Sequence, residues 1–343
     1  PLYPDIAQLE APVVPLESKP EARRLALNED KICVFLGDDR LCRIHKHMGS
    51  AAKPLICRTF PVQIVETESE LRVGVSRCFE AHHSYNDGSP EQSPSEITGL
   101  SDSEPMALDK RGLNPADRLN LMPPIITGTL SARNAALEKQ WLSLLQHPEV
   151  TVELLMHTLL EAATRRPLPK PHAGLLSSPG GAKVVSNALG TWASSLYTHS
   201  KEQFERSADW TLHAATRSLL LCLMGIENRP FTGLTPGERD YGFHVLREWF
   251  FVRNWYNQGT FEHSSLVMVL GLIAAHWHAE DAGVEDPNLP GDAFAYPLTA
   301  WTRITGHPDT LGVLLANGRY EALVAALVEA NAELASAQGS GVH

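Results

Sequence analysis

The apolar residues of this chain fall into two periodicities that meet near residue 130. Beyond that point they recur at helical spacing almost without interruption. Ser131 is placed to cap a helix running to Gln146. The segments TVELLMHTLLEAATRR and AKVVSNALGTWASSLY carry apolar faces at a 3.6-residue period. DWTLHAATRSLLLCLMGI and RDYGFHVLREWFFVRNWYNQG are apolar and aromatic over most of their surface, as interior helices of a bundle are. LVMVLGLIAAHWHAE reads as a central buried helix. DTLGVLLAN and RYEALVAALVEANAELASA form a terminal pair, split by Asn317-Gly318 at a helix-ending turn.

The first 130 residues follow other rules. Residues 1–30 are proline-rich, with a helix expected around Glu21–Leu27. CVFL and LCRIH flank Gly37-Asp38-Asp39-Arg40, the pattern of a short hairpin or tight loop. VQIVE and ELRVGV alternate apolar and polar residues about a polar turn and predict a second hairpin. Residues 86–117 are rich in Ser, Pro, Asp and Glu and read as a linker or a surface excursion. The expected fold is mainly α, a large helical domain with a small cysteine-rich module containing short β-hairpins. The expected division is a cysteine-cluster module at 1–88, a linker at 89–117 and a helical domain at 118–343.

Composition adds bounds to this picture. At 343 residues, 43% of them hydrophobic and 20% charged, the chain has the make-up of a globular protein with a sizeable core. The formal net charge of −11, with no basic stripe, argues against nucleic acid as a partner. The longest apolar run, Leu266–Ala275, is shorter than the ~20 residues of a membrane span. No basic region followed by an apolar one marks a secretory signal, so the expected location is cytoplasmic.

Cysteine usage changes the picture most. Four of the five cysteines, Cys33, Cys42, Cys57 and Cys78, fall within 46 residues, with 8, 14 and 20 residues between them. Clustered cysteines in a reducing compartment point to metal rather than to disulfides. Four thiolates complete the ligand set of one tetrahedral zinc or one [4Fe–4S] cluster. No CxxC pair is present, which argues against a zinc ribbon, a RING or a thioredoxin-type site. The bland alternative is a set of ordinary buried thiols.

The residues around the cysteines carry a resemblance. Cys33-Val-Phe-Leu36, Leu41-Cys-Arg-Ile-His45, Cys57-Arg-Thr-Phe-Pro61 and Ser76-Arg-Cys-Phe-Glu-Ala81 occur in that order. Residues 31–83 thereby resemble the cysteine-cluster family that includes YkgJ-type proteins and the flagellin lysine-N-methylases (FliB-like). The resemblance implies that Cys33, Cys42, Cys57 and Cys78 match cluster ligands, with an iron–sulfur cluster as cofactor and zinc as the alternative. It further implies methyl transfer from S-adenosylmethionine to lysines of a flagellin-like protein substrate. The sequence departs from the family in lacking an earlier cysteine group upstream of Cys33. It also has Phe79-Glu80-Ala81 after Cys78 in place of Pro-Glu-Ala. The alternatives are a non-catalytic or electron-carrying metalloprotein, and a helical interaction protein with a structural zinc.

Other residues bear on the chemistry. His45, His47, His82 and His83 lie beside the cysteines as exposed polar residues, or as alternative ligands or donors to cluster sulfur. Arg43, Arg58 and Arg77 neighbour three thiolates, either to offset cluster charge or as surface residues. Cys222, inside LLLCLM, is expected in the core. His276 and His278, two apart on a helix, do not face the same way and are read as structural or surface residues. Ser178-Pro-Gly-Gly lacks phosphate-loop spacing and reads as a helix start. No G-x-G-x-x-G loop is present, so a Rossmann-type site is not expected. Trp249, Phe250, Phe251, Trp255 and Tyr256 are expected to pack a core, with a ligand-pocket wall as the other reading. No catalytic acid, base or nucleophile stands out by spacing.

Overall fold

The structure is a computed structural model. It describes residues 12–16, 19–28, 33–38, 41–49, 52–54, 57, 62–66, 71–75, 132–145, 147, 149–165, 173–206, 211–251, 260–283, 291–305 and 308–339. Two compact units emerge, the described part of one lying within 12–75 and of the other within 132–339. The described chain is mainly helical.

In the smaller unit, β1 (Val13–Leu16) pairs antiparallel with β2 (Lys19–Leu25), and the register breaks between Pro15 and Leu16. Proline has no N–H for the ladder, and such a break is where a strand tolerates it. The helix expected over Glu21–Leu27 is therefore a strand. A helix of seven residues has too few internal hydrogen bonds to offset its nucleation cost. Pairing with Val13–Leu16 supplies backbone partners instead. Past β2, Ala26 N–H donates to Pro12 O at 2.9 Å, and Val34 N–H to Ala26 O at 3.1 Å. Gly37 N–H donates to Leu41 O at 2.9 Å, and Leu36 and Cys42 form an antiparallel bridge. LCRIH does not continue as a strand, because Arg43–Met48 is a helix, α1, which ends at Gly49 with φ 80°. β3 (Val62–Glu66) and β4 (Leu71–Val75) pair antiparallel, in register from Val62↔Val75 to Glu66↔Leu71. The buried apolar side chains described in this unit are Ala26, Phe35 and Ile44.

The larger unit holds α2 (Ala132–Leu145), α3 (Val152–Thr164), α4 (Ala173–Ser177), α5 (Pro179–Arg206), α6 (Thr211–Met224) and α7 (Pro236–Phe251). It continues with α8 (Phe261–Ala282), α9 (Gly291–Thr305), α10 (Pro308–Leu315) and α11 (Arg319–Gly339). Caps written in the sequence set several starts. Thr151 Oγ1 accepts from Leu154 N–H at 3.2 Å, and Thr260 Oγ1 from His263 N–H at 3.2 Å. Ser178 Oγ accepts from Gly181 N–H at 3.1 Å, with Pro179 in the first helical position. A Cβ on Gly181 would run into the Leu175 carbonyl, so Ser178-Pro-Gly-Gly is a helix start that needs this glycine. Asn317 and Gly318, at φ 59° and 69°, turn the chain between α10 and α11.

Helix α8 is the axis of this unit, buried on nearly every side from Phe261 to Trp277. It packs against α3, α6 and α9. At Gly271 the absent side chain makes room for Trp301 of α9, whose indole N–H donates to Val267 O at 2.8 Å. Helix α9 escapes the sequence pattern because Pro297 lies inside it. Trp249 and Phe250 are buried, Phe250 stacking on Trp141 at 4.3 Å between ring centroids, which makes them core. The Phe251 side chain, Trp255 and Tyr256 lie outside the described residues. Among the described residues, no helix is long and apolar enough to cross a membrane.

Candidate functional site

Three of the four clustered cysteines are described, each half-buried with a free thiol. Cys33 bridges to Leu27, and its carbonyl closes a turn by accepting Leu36 N–H at 2.9 Å. Cys42 is the extended residue that starts α1, and its carbonyl accepts Lys46 N–H at 2.9 Å. Cys57 N–H donates to Pro54 O at 2.9 Å. Burial raises the pKa of the Cys57 thiol, as do the neighbouring Cys33 and Cys42 thiolates, against the Lys53 ammonium, which lowers it. Cys33 and Cys42 thus each lie within electrostatic range of Cys57. Among the described residues, no three His, Cys, Asp or Glu side chains are grouped so as to hold a metal ion. Cys78, Arg58, Arg77, His82 and His83 lie outside the described residues. His45 is exposed, while Arg43 and His47 are half-buried.

The larger unit carries a polar constellation around His276 that residue spacing did not announce. His276 is buried, with Nδ1 2.9 Å from Glu238 Oε2 and Nε2 3.5 Å from Glu280 Oε1. Glu238 also accepts from Thr235 N–H at 2.8 Å, while Thr235 Oγ1 accepts from Glu238 N–H at 3.3 Å. This is a reciprocal capping box at the start of α7. Its signature, Thr235-x-x-Glu238, is legible in the sequence, but its link to a histidine on another helix is not. The structural reading of His276 holds.

Cys222 departs from expectation. On α6 the buried apolar positions among the described residues are Leu219, Leu220 and Leu223, while Leu221 is exposed and Cys222 half-buried. Its thiol donates to Asp281 Oδ2 at 3.3 Å, and Arg229 binds Asp281 at 2.7 Å and Glu280 at 2.9 Å. Burial and the adjacent Asp281 carboxylate push the Cys222 pKa up to about 12.

A groove of about 610 Å³ opens between α11 and the adjoining ends of α3 and α8. Glu262 lies at its edge, 7% exposed, bound by Arg133 and, at 3.3 Å, by Arg165. Burial opposes ionisation of Glu262. Its own backbone amide, the Thr260 hydroxyl and the two guanidinium groups outweigh burial and hold its carboxyl below the ordinary value. The His263 ring meets Tyr320 edge-on at 4.2 Å, and its Nδ1 is buried without a hydrogen-bond partner among the described residues. Burial lowers the His263 pKa despite the Glu321 and Glu262 carboxylates. Tyr320 donates to Ala163 O at 2.9 Å.

Comparison with protein-family models, with curated proteins and with solved structures finds no match to this chain.

Proposed function

We propose that Cys33, Cys42, Cys57 and Cys78 hold a thiolate-ligated metal centre, an iron–sulfur cluster, within a small hairpin-containing module. The observation that supports this reading is the electrostatic coupling of the Cys57 thiol to Cys33 and Cys42. Three thiolates that repel one another cost free energy, and a bound cation or cluster reverses the sign of that interaction. The donor set is soft and suits iron–sulfur or zinc chemistry. When bound, an iron–sulfur cluster supplies one-electron chemistry or a rigid cross-link. The cysteines hold it by their sulfurs, and Lys53 offsets negative charge beside Cys57.

The resemblance of residues 31–83 to lysine-N-methylases carries the proposal further, to methyl transfer from S-adenosylmethionine onto lysines of a flagellin-like protein. The test is metal and acid-labile sulfide analysis of the anaerobically purified full chain. The proposal expects about four iron and four sulfide per chain, with substantial loss of both in Cys57→Ser. Zinc without sulfide would replace the cluster by a structural zinc. Full metal content in Cys57→Ser would reject the four-thiolate site. Calorimetry with S-adenosylmethionine on the metal-loaded protein tests the transfer step, and absence of binding removes it.

A further inference from the structure

We propose that Ser218 is a nucleophile with His278 as its base, and that it takes up an apolar acyl group from an activated ester. The pair lies in the larger unit and does not depend on the cysteine module.

Three helices that pack on one another hold the site: α6 carries Ser218, α8 carries His278 and α9 carries Ala293. Ser218 Oγ lies 2.8 Å from His278 Nε2, and His278 Nδ1 lies 2.9 Å from Ala293 O. A carbonyl oxygen only accepts, so the ring proton sits on Nδ1. Nε2 then carries the lone pair, and the Ser218 hydroxyl donates to it. A nucleophile, a base within hydrogen-bond reach and a third group that orients the base are the parts of an activated hydroxyl. Other hydroxyls inside helices of this protein are engaged by their own backbone. Thr158, Ser195, Thr198 and Ser336 each donate to the carbonyl four residues earlier. Ser218 donates to another helix instead, and it is exposed.

The surface beside Ser218 suits an apolar acyl chain. Leu221 and Met224, further along α6, are large hydrophobic residues left exposed. Residues three apart on a helix are neighbours, so Ser218, Leu221 and Met224 follow one another along the surface. A chain bonded to Oγ has this strip to cover, which removes apolar area from water on both sides. Cys222, on the same helix, is held as a thiol by Asp281 and does not compete as a nucleophile. In the transfer step, Oγ bonds to the ester carbonyl carbon while its proton moves to Nε2. The carbon–oxygen bond to the leaving group breaks, its electron pair goes to the leaving oxygen, and Nε2 returns the proton to that oxygen. The products are acyl-Ser218 and a free phenol, and His278 is neutral again.

The test is incubation of the full chain with p-nitrophenyl hexanoate or p-nitrophenyl acetate, with the adducts located by peptide mass spectrometry. Ser336, exposed and bonded to its own backbone, is the internal reference. Hexanoylation of Ser218 should outpace that of Ser336 by about 100-fold, the scale of general-base assistance. The lead of Ser218 over Ser336 should be smaller with the acetate. His278→Gln places an amide that can accept from the hydroxyl but cannot take its proton. It should bring Ser218 down to the Ser336 rate while the thermal melt stays that of wild type. Equal acylation of Ser218 and Ser336 overturns the proposal in the wild-type chain alone, whether or not the variant folds. So does an adduct on His278 in place of Ser218, full acylation of Ser218 in folded His278→Gln, or an acetate lead as large as the hexanoate lead.

Discussion

Substituting Gly271 by alanine tests the close approach of α8 to α9. An added Cβ would lie 2.6 Å from Trp301 Nε1 and 3.0 Å from Trp301 Cγ. Carbon contacts are comfortable at about 3.5–4.0 Å, and Trp301 Cδ1 lies closer still, so the indole must retreat by more than about 1 Å. Trp301 is fully buried and has no open space to enter. Overpacking of this kind costs about 1–3 kcal/mol. The retreat also stretches the indole bond to Val267 O, worth about 1 kcal/mol. Against both stands the intrinsic preference of helices for alanine over glycine, about 1 kcal/mol. The net expectation is a loss of about 1–3 kcal/mol. Gly312→Ala supplies the internal reference. Gly312 lies in α10, and its added Cβ meets nothing within 4 Å, so only the propensity gain remains. Urea unfolding followed by far-ultraviolet circular dichroism should move the two midpoints in opposite directions. If Gly271→Ala stabilises as much as Gly312→Ala, Trp301 does not rest on Gly271 and the described packing of α8 on α9 is wrong.

Three further outcomes follow from the site geometry. Glu238→Ala should cost about 2–4 kcal/mol, combining a lost helix cap of about 1 with an abandoned buried ring nitrogen on His276 of about 1–3. A urea midpoint within error of wild type would remove the capping-box account. Glu262 has a folded pKa below its ordinary 4.5, so the stability it contributes is present above that value and is lost as pH falls through the folded one. Thermal melts from pH 7 to pH 3 should accordingly show the deficit of Glu262→Gln shrinking with acid; a deficit that grows would reverse the sign of the argument. With its pKa near 12, Cys222 should have a thiolate fraction at pH 8 on the order of a thousandfold below that of an ordinary thiol. Iodoacetamide should leave it largely unmodified in native protein, and Asp281→Asn should speed its alkylation.

Local signals carried most of the helical architecture because helices are written in local contacts. Thr151, Ser178 and Thr260 declare helix starts through their own side chains, and Asn317-Gly318 declares a stop. What escaped depended on distant partners. Glu21–Leu27 becomes a strand because Val13–Leu16 lies ready to pair with it, a fact that no window over the segment contains. Helix α9 was hidden by Pro297, which local rules treat as a breaker and which packing against α8 outweighs. Cys222 sits in an apolar run, yet the helix turns it toward Asp281 rather than inward. At the cysteine module the fold sets Cys33 and Cys42 within electrostatic range of Cys57, and Cys78 lies outside the described residues.

Glu238 has a consequence for how the protein breathes. One carboxylate closes the first turn of α7 and also holds a ring buried on α8. The beginning of a helix is normally the first part to open, but here opening strands His276 without its closest acceptor. Local fraying of α7 thereby requires a larger rearrangement, and hydrogen exchange should find the first turn of α7 and the His276 turn of α8 opening together. A residue whose sequence context announces only a helix start thus sets the size of the smallest motion that this part of the molecule can make.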